Sequence, residues 1–161
     1  MVHAPVNEVY EAAASLNMSR SLFISMLFNL RGLPESALTL RGLQKMGFTL
    51  LGQHQNQELL LGLVGQFWKL SGNLQPLEPA TFKSFSNPGF AKAAWNFSMH
   101  PYQKDKTTLK TETRIKCLDK KSYMEFRLYW LLIGPFSSWI RKASLNIIKQ
   151  EAESRIRASA V

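Results

Sequence analysis

Acidic side chains are scarce in this chain: 11 Asp and Glu stand against 20 Lys and Arg, a formal net charge of +9. Cysteine is scarcer still. With Cys117 alone, no internal disulfide can form and a four-cysteine zinc site is excluded, so a reducing, cytoplasmic setting is expected. His3, His54 and His100 are too widely separated for a metal-binding spacing and read as surface or turn residues, so no metal and no cofactor is expected. A glycine-rich phosphate loop is also missing, since Gly62 and Gly65 sit inside an apolar run and mark a bulge or bend. Long hydrophobic runs are absent. The three best, Ser21 to Leu30, Leu59 to Trp68 and Leu128 to Ile140, all fall short of the roughly 20 residues that span a bilayer. The opening Met1-Val2-His3-Ala4-Pro5 lacks a basic and apolar leader pattern, and secretion is not expected.

What is present is the composition of one globular domain. At 161 residues, with 45% hydrophobic and 19% charged side chains, the chain can bury roughly two thirds of its unfolded surface around a single core. No repeat or composition break divides it, so residues 1–161 are read as one domain. The basic excess is uneven: from Pro101 onward there are 13 Lys and Arg against 6 Asp and Glu, while the preceding residues carry 7 against 5. Without an arginine-rich cluster or an RNP-type motif, nucleic acid is not an expected partner. Arg141, Lys142, Lys149, Arg155 and Arg157 form either a solvated face or a weak contact for an anionic membrane surface.

Periodicity supplies the elements. Val9, Tyr10, Ala13 and Ala14 recur at helical spacing over Val6 to Ala14, and Leu22, Phe23, Met26, Leu27 and Leu30 predict a second short helix that Gly32 and Pro34 stop. Glu35 to Met46 reads as a short helix or an extended crossing. Phe48 to Gln53 and Glu58 to Trp68 read as antiparallel strands joined by the turn His54-Gln55-Asn56-Gln57. Leu70 to Pro79 has loop composition, and Phe82 to Phe85 reads as a short strand.

Ala91 to His100 alternates, with Ala93, Trp95, Phe97 and Met99 on one side. After a turn over Pro101 to Lys106, Thr107 to Cys117 alternates again. Leu109, Thr111, Thr113, Ile115 and Cys117 face inward, with Lys110, Glu112, Arg114 and Lys116 outward. Asp119 is placed to cap a long final helix carrying Tyr123, Phe126, Trp130 and Ile133 toward the sheet, which Gly134-Pro135 kinks or restarts. The order predicts an α+β fold in which a curved antiparallel sheet packs around a long, kinked C-terminal helix, with two short N-terminal helices.

A family resemblance rests on three blocks. They are Val2-His3-Ala4-Pro5 with Val9-Tyr10, Asn87-Pro88-Gly89-Phe90 through Trp95-Asn96-Phe97, and Thr111-Glu112-Thr113-Arg114-Ile115 leading into Phe126-Arg127-Leu128-Tyr129-Trp130. Together they resemble the helix-grip proteins of the START-like, or polyketide cyclase and lipid-transport, superfamily, and the last block looks most like uncharacterised bacterial members. Only Met1 to Ala4 precede the first helix where such proteins begin with a full strand, so that strand is expected to be short or missing.

The resemblance implies a cavity between sheet and closing helix that holds a hydrophobic small molecule or lipid. It transfers no catalytic residue. The residues placed to line such a cavity are Trp95, Phe97, Thr111, Thr113, Tyr123, Phe126, Trp130 and Ile133, and the same side chains would equally fill a solid core. The alternative is a cyclase or dehydratase acting on a polyketide-like substrate in that cavity, which needs a convergent acid or base. Glu112 and Arg114 read more simply as a surface ion pair, and Cys117 as a small buried apolar residue. Oligomeric state is not legible.

Overall fold

A computed structural model describes residues 1–21, 25 and 38–159. The helix expected over Leu22 to Leu30 lies outside the described residues, as does the first part of the Glu35 to Met46 stretch. Helix α1, Val6–Ala14, opens after Pro5, whose φ of −65° suits the approach to a helix, and Val9 N–H donates to the Pro5 carbonyl. A single 3₁₀ turn, Met18–Arg20, follows, with Asn17 accepting from Ser19 N–H. Helix α2, Leu40–Lys45, is capped by Thr39, which accepts from Gly42 N–H at 3.0 Å.

Four antiparallel strands then form a sheet in simple order: β1 Thr49–His54, β2 Glu58–Gly65, β3 Ala91–Gln103 and β4 Lys106–Cys117. Each hairpin turn holds one residue in the left-handed region, Asn56 and Asp105, both at φ 61°. The turn expected over Pro101 to Lys106 is tighter than its composition suggests. Strand β3 continues through a register shift between Pro101 and Gln103, so Pro101 is accommodated at an irregularity. Between β2 and β3 a short helix, α3 Pro79–Ser84, replaces the strand expected at Phe82 to Phe85. Pro79 starts it, and Lys92 Nζ donates to the carbonyls of Phe82, Lys83 and Phe85, each at 3.0 Å. A cation at a helix C-terminus satisfies acceptors that a strand would have sent to a neighbour.

The sheet is packed on one face and, on the other, around Gly62, while the outer face of β4 stays exposed. On one, Leu59, Leu61, Phe97 and Met99 join α1 residues Val9, Tyr10, Ala12 and Ala13 in the core. That core is closed by Ile147, Ile148 and Ala152 of helix α4, Lys120–Ser159. Buried Tyr10 keeps a partner in this layer, its hydroxyl accepting from Gln53 Nε2 at 2.7 Å. On the opposite face Phe82 of α3 and Leu51 press on Gly62, where an added Cβ would stand 2.9 Å from the Phe82 ring and 2.5 Å from Leu51 Cδ1. Gly62 is therefore a close-approach residue. The bulge expected there falls on the neighbouring strand, between Leu50 and Gly52.

The expected first strand is reduced to one bridge, Val2 against Thr107, with both backbone bonds made at 2.9 and 3.0 Å. The fully buried Thr107 adds a third tie, its hydroxyl donating to the Ala4 carbonyl at 2.9 Å. At the far end of β4, Asp119 launches α4 by accepting from the Ser122 N–H at 3.0 Å and from the Ser122 hydroxyl. The same carboxylate accepts from Gly89 N–H, so one side chain fixes both the helix start and the turn that feeds β3. Gly134 and Pro135 neither end nor restart this helix, which runs unbroken for 40 residues. The fold is α+β, a four-stranded antiparallel sheet under a long C-terminal helix.

Two outcomes follow from these ties. Replacing Thr107 by Val keeps the shape but orphans the Ala4 carbonyl, and should cost about 1–3 kcal/mol in urea unfolding; an unchanged midpoint would show that the carbonyl finds another donor. Asp119 has its pKa held down to about 2 by the Ser122 hydroxyl first, then by the Ser122 and Gly89 N–H groups, against an ordinary 3.8. Its contribution is complete above about pH 4 and is lost as pH falls through about 2. The Asp119→Asn variant should show a flatter loss of stability over that interval than the native chain, read as denaturant midpoint against pH. Parallel curves would contradict this role.

Candidate functional site

Strand pairing brings the four sheet residues expected to line a cavity into one block, because Trp95 lies directly across from Thr113 and Phe97 from Thr111. Within it the Trp95 and Phe97 rings are 4.9 Å apart, and Trp95 Nε1 donates to Thr111 Oγ1 at 2.8 Å. The Thr111 hydroxyl in turn donates to the Asn96 carbonyl at 2.7 Å, so the Trp95 indole and the Thr111 hydroxyl are both paired. Phe97 is 1% exposed and belongs to the core cluster, while Trp95 packs against that cluster half-buried.

The helix residues form a second group. Phe126 stacks on Trp130 at 5.4 Å, and Tyr129 joins at 6.0 Å, with Ile133 half-buried one turn on. Spacings of three and four put these side chains on the face of α4 that also carries buried Ser144 and Ile148 further along. Tyr123 stands apart from them at 54% exposed. Gly134 lets the Trp130 indole lie close to the helix, since a Cβ there would come within 3.2 Å of Nε1.

Three aromatic residues of this group, Tyr129, Phe67 and Trp68, were not among those expected to line a cavity. Phe67 and Trp68 lie edge-on to Phe126 at 6.5 and 6.4 Å. Reading Glu58 to Trp68 as a single strand concealed them, because β2 ends at Gly65 and the chain turns there. The cue was Gly65 itself, where the Gly72 carbonyl would be 2.8 Å from a Cβ. From Gly65 back to Leu61, the partner of Trp95, is four residues, or roughly 13 Å along the strand. The aromatic group therefore sits at the end of the sheet, with Trp95 deeper along it.

One atom of the group has no hydrogen-bond partner. Among the described residues, Trp68 Nε1 is the buried side-chain nitrogen or oxygen left unsatisfied. Glu112 and Arg114 make a bidentate pair at 2.9 and 3.0 Å on the outer face of β4, more than half exposed. Burial first, and then the Asp119 carboxylate, pushes the Cys117 thiol pKa up, which keeps it protonated and weakly nucleophilic. No three His, Cys, Asp or Glu side chains converge among the described residues. Two open surface clefts lie away from the aromatic group. One of about 450 Å³ lies between Phe48 and Pro79, and another of about 390 Å³ between Ser15 and Arg155.

Comparison of the chain with family models, curated proteins and solved structures finds no match. The sheet and its closing helix are compatible with a helix-grip fold, and that statement rests on the architecture alone.

Proposed function

We propose that this protein is a START-like binding or transport module for a hydrophobic small molecule or lipid bearing one hydrogen-bond-accepting end. The reading is supported by the sequence resemblance and by the grouping of Phe67, Trp68, Phe126 and Trp130 at one end of the sheet. The observation that carries it is the unpaired Trp68 indole N–H within those rings. A buried donor without a partner costs about 1–3 kcal/mol, and a carbonyl, ester or carboxylate oxygen of a ligand would relieve that cost. The apolar part of the ligand gains from desolvation against the rings, roughly 25 cal/mol per Å² buried, offset by the loss of freedom on association.

The test is organic extraction of the purified chain followed by mass spectrometry, with titration of a fluorescent fatty acid in parallel. A bound amphiphile or saturable uptake is expected. Trp68→Phe removes the donor while keeping most of the ring, so probe affinity should fall about five- to tenfold while the melting temperature stays level or rises. Protein that yields nothing on extraction and takes up no probe would overturn the proposal. Equal affinity in Trp68→Phe would remove the indole from it.

A further inference from the structure

The first half of α4 is apolar on two sides. Phe126, Trp130 and Ile133 turn toward the protein, yet Met124, Leu128, Leu131, Leu132 and Phe136 recur on the opposite side at spacings of three, four and eight. Leu128, Leu131 and Leu132 are 69, 72 and 74% exposed, so this stripe is uncovered by the described residues. Contiguous exposure of that kind marks an interaction surface in a soluble chain.

The charges around the stripe indicate what covers it. Lys120 and Lys121 stand at its N-terminal end, Arg127 along one edge and Lys142 at its C-terminal end, all exposed. From Lys120 to Gln150 the sole acid is Glu125, half-buried beside the stripe. Lys121 and Lys142 are separated by about 32 Å of helix at 1.5 Å per residue, with leucines between them. A second copy of the same face fits poorly. In either parallel or antiparallel pairing, basic ends meet basic ends. An apolar stripe bounded by cations is instead complementary to a lipid surface, with acyl chains beneath and anionic headgroups at the rim.

No described helix is long and apolar enough to cross a membrane, so the contact is one of a helix lying in the interface. The basic set expected from sequence at Arg141, Lys142, Lys149, Arg155 and Arg157 is partly committed elsewhere. Arg155 holds Glu151 and the Ser15 hydroxyl, and Lys149 approaches Glu153 at 4.0 Å. We infer that α4 docks this protein on anionic membranes through Met124, Leu128, Leu131, Leu132 and Phe136, steered by Lys120, Lys121, Arg127 and Lys142. The inference does not depend on what the aromatic group binds.

Cosedimentation of the full chain with phosphatidylcholine vesicles, with and without phosphatidylglycerol, tests it. Binding to the anionic vesicles is expected, weakening as salt rises, with little binding to phosphatidylcholine alone. Lys121→Ala and Lys142→Ala should each weaken it about fivefold, and Leu131→Glu with Leu132→Glu should abolish it while circular dichroism stays native. Lys110→Ala, on the outer face of β4, should bind like the native chain. Lipid uptake by the aromatic group alone would show equal binding to both vesicle types, and that result overturns the surface proposal. It is overturned equally by a stable dimer dispersed by Leu131→Glu, which hands the stripe to a second copy. A photo-crosslinker at position 131 that captures residues 22–37 of the same chain without vesicles also overturns it.

Discussion

The direction of one helix decides most of this structure, and that direction is set where β4 ends. Asp119 accepts from the first turn of α4 and from the Gly89 N–H of the turn before β3, so helix and sheet are joined by a single carboxylate. Gly89 at φ 88° can present its N–H that way with no steric cost, and its carbonyl takes Gln66 Nε2 at 2.7 Å from the far end of β2. Three connections therefore meet at one corner of the sheet. Tilting α4 there would break bonds on all three.

Beyond that corner the helix divides into unlike halves. The second half is buried because α1 lies alongside it: Ile147, Ile148 and Ala152 share a core with Val9, Tyr10, Ala12 and Ala13. The chain start is drawn into the same layer, with the His3 N–H on Glu153 at 2.9 Å and the Val2 bridge on β4. In the first half Ser122 is the fully buried residue, and Phe126, Tyr129 and Trp130 are half-buried. Half-buried aromatic rings, one of them against the unpaired Trp68 indole, and an exposed leucine stripe thus lie on the same turns. In the reading proposed above, ligand and membrane meet at opposite faces of these turns.

The two faces of the sheet differ in how their polar atoms are settled. Lys92 crosses to cap α3, lying 5.5 Å from the Phe82 ring, and its pKa is lowered by burial and then by Lys116. Trp95, Thr111 and Asn96 form a closed relay on the other face. Against that background, the Trp68 indole is an exception.

Local pattern alone determined β4 and its faces. Thr107 to Cys117 alternates so strictly that only one assignment avoids burying Lys110, Glu112, Arg114 and Lys116, and the capping role of Asp119 was legible for the same local reason. Phe82 to Phe85 was misread because four residues are too few for a period to declare itself, and the donor that caps the end of α3 comes from distant Lys92. Gly134-Pro135 signalled a break that a long helix absorbs. Phe67 and Trp68 joined the aromatic group because β2 ended sooner than its apolar run. The first half of α4 has apolar residues on opposite sides, and periodicity ranks neither above the other. Only the tertiary structure, by laying one side against the sheet, decided which is wall and which is surface, since burial belongs to pairs of elements and not to a single helix.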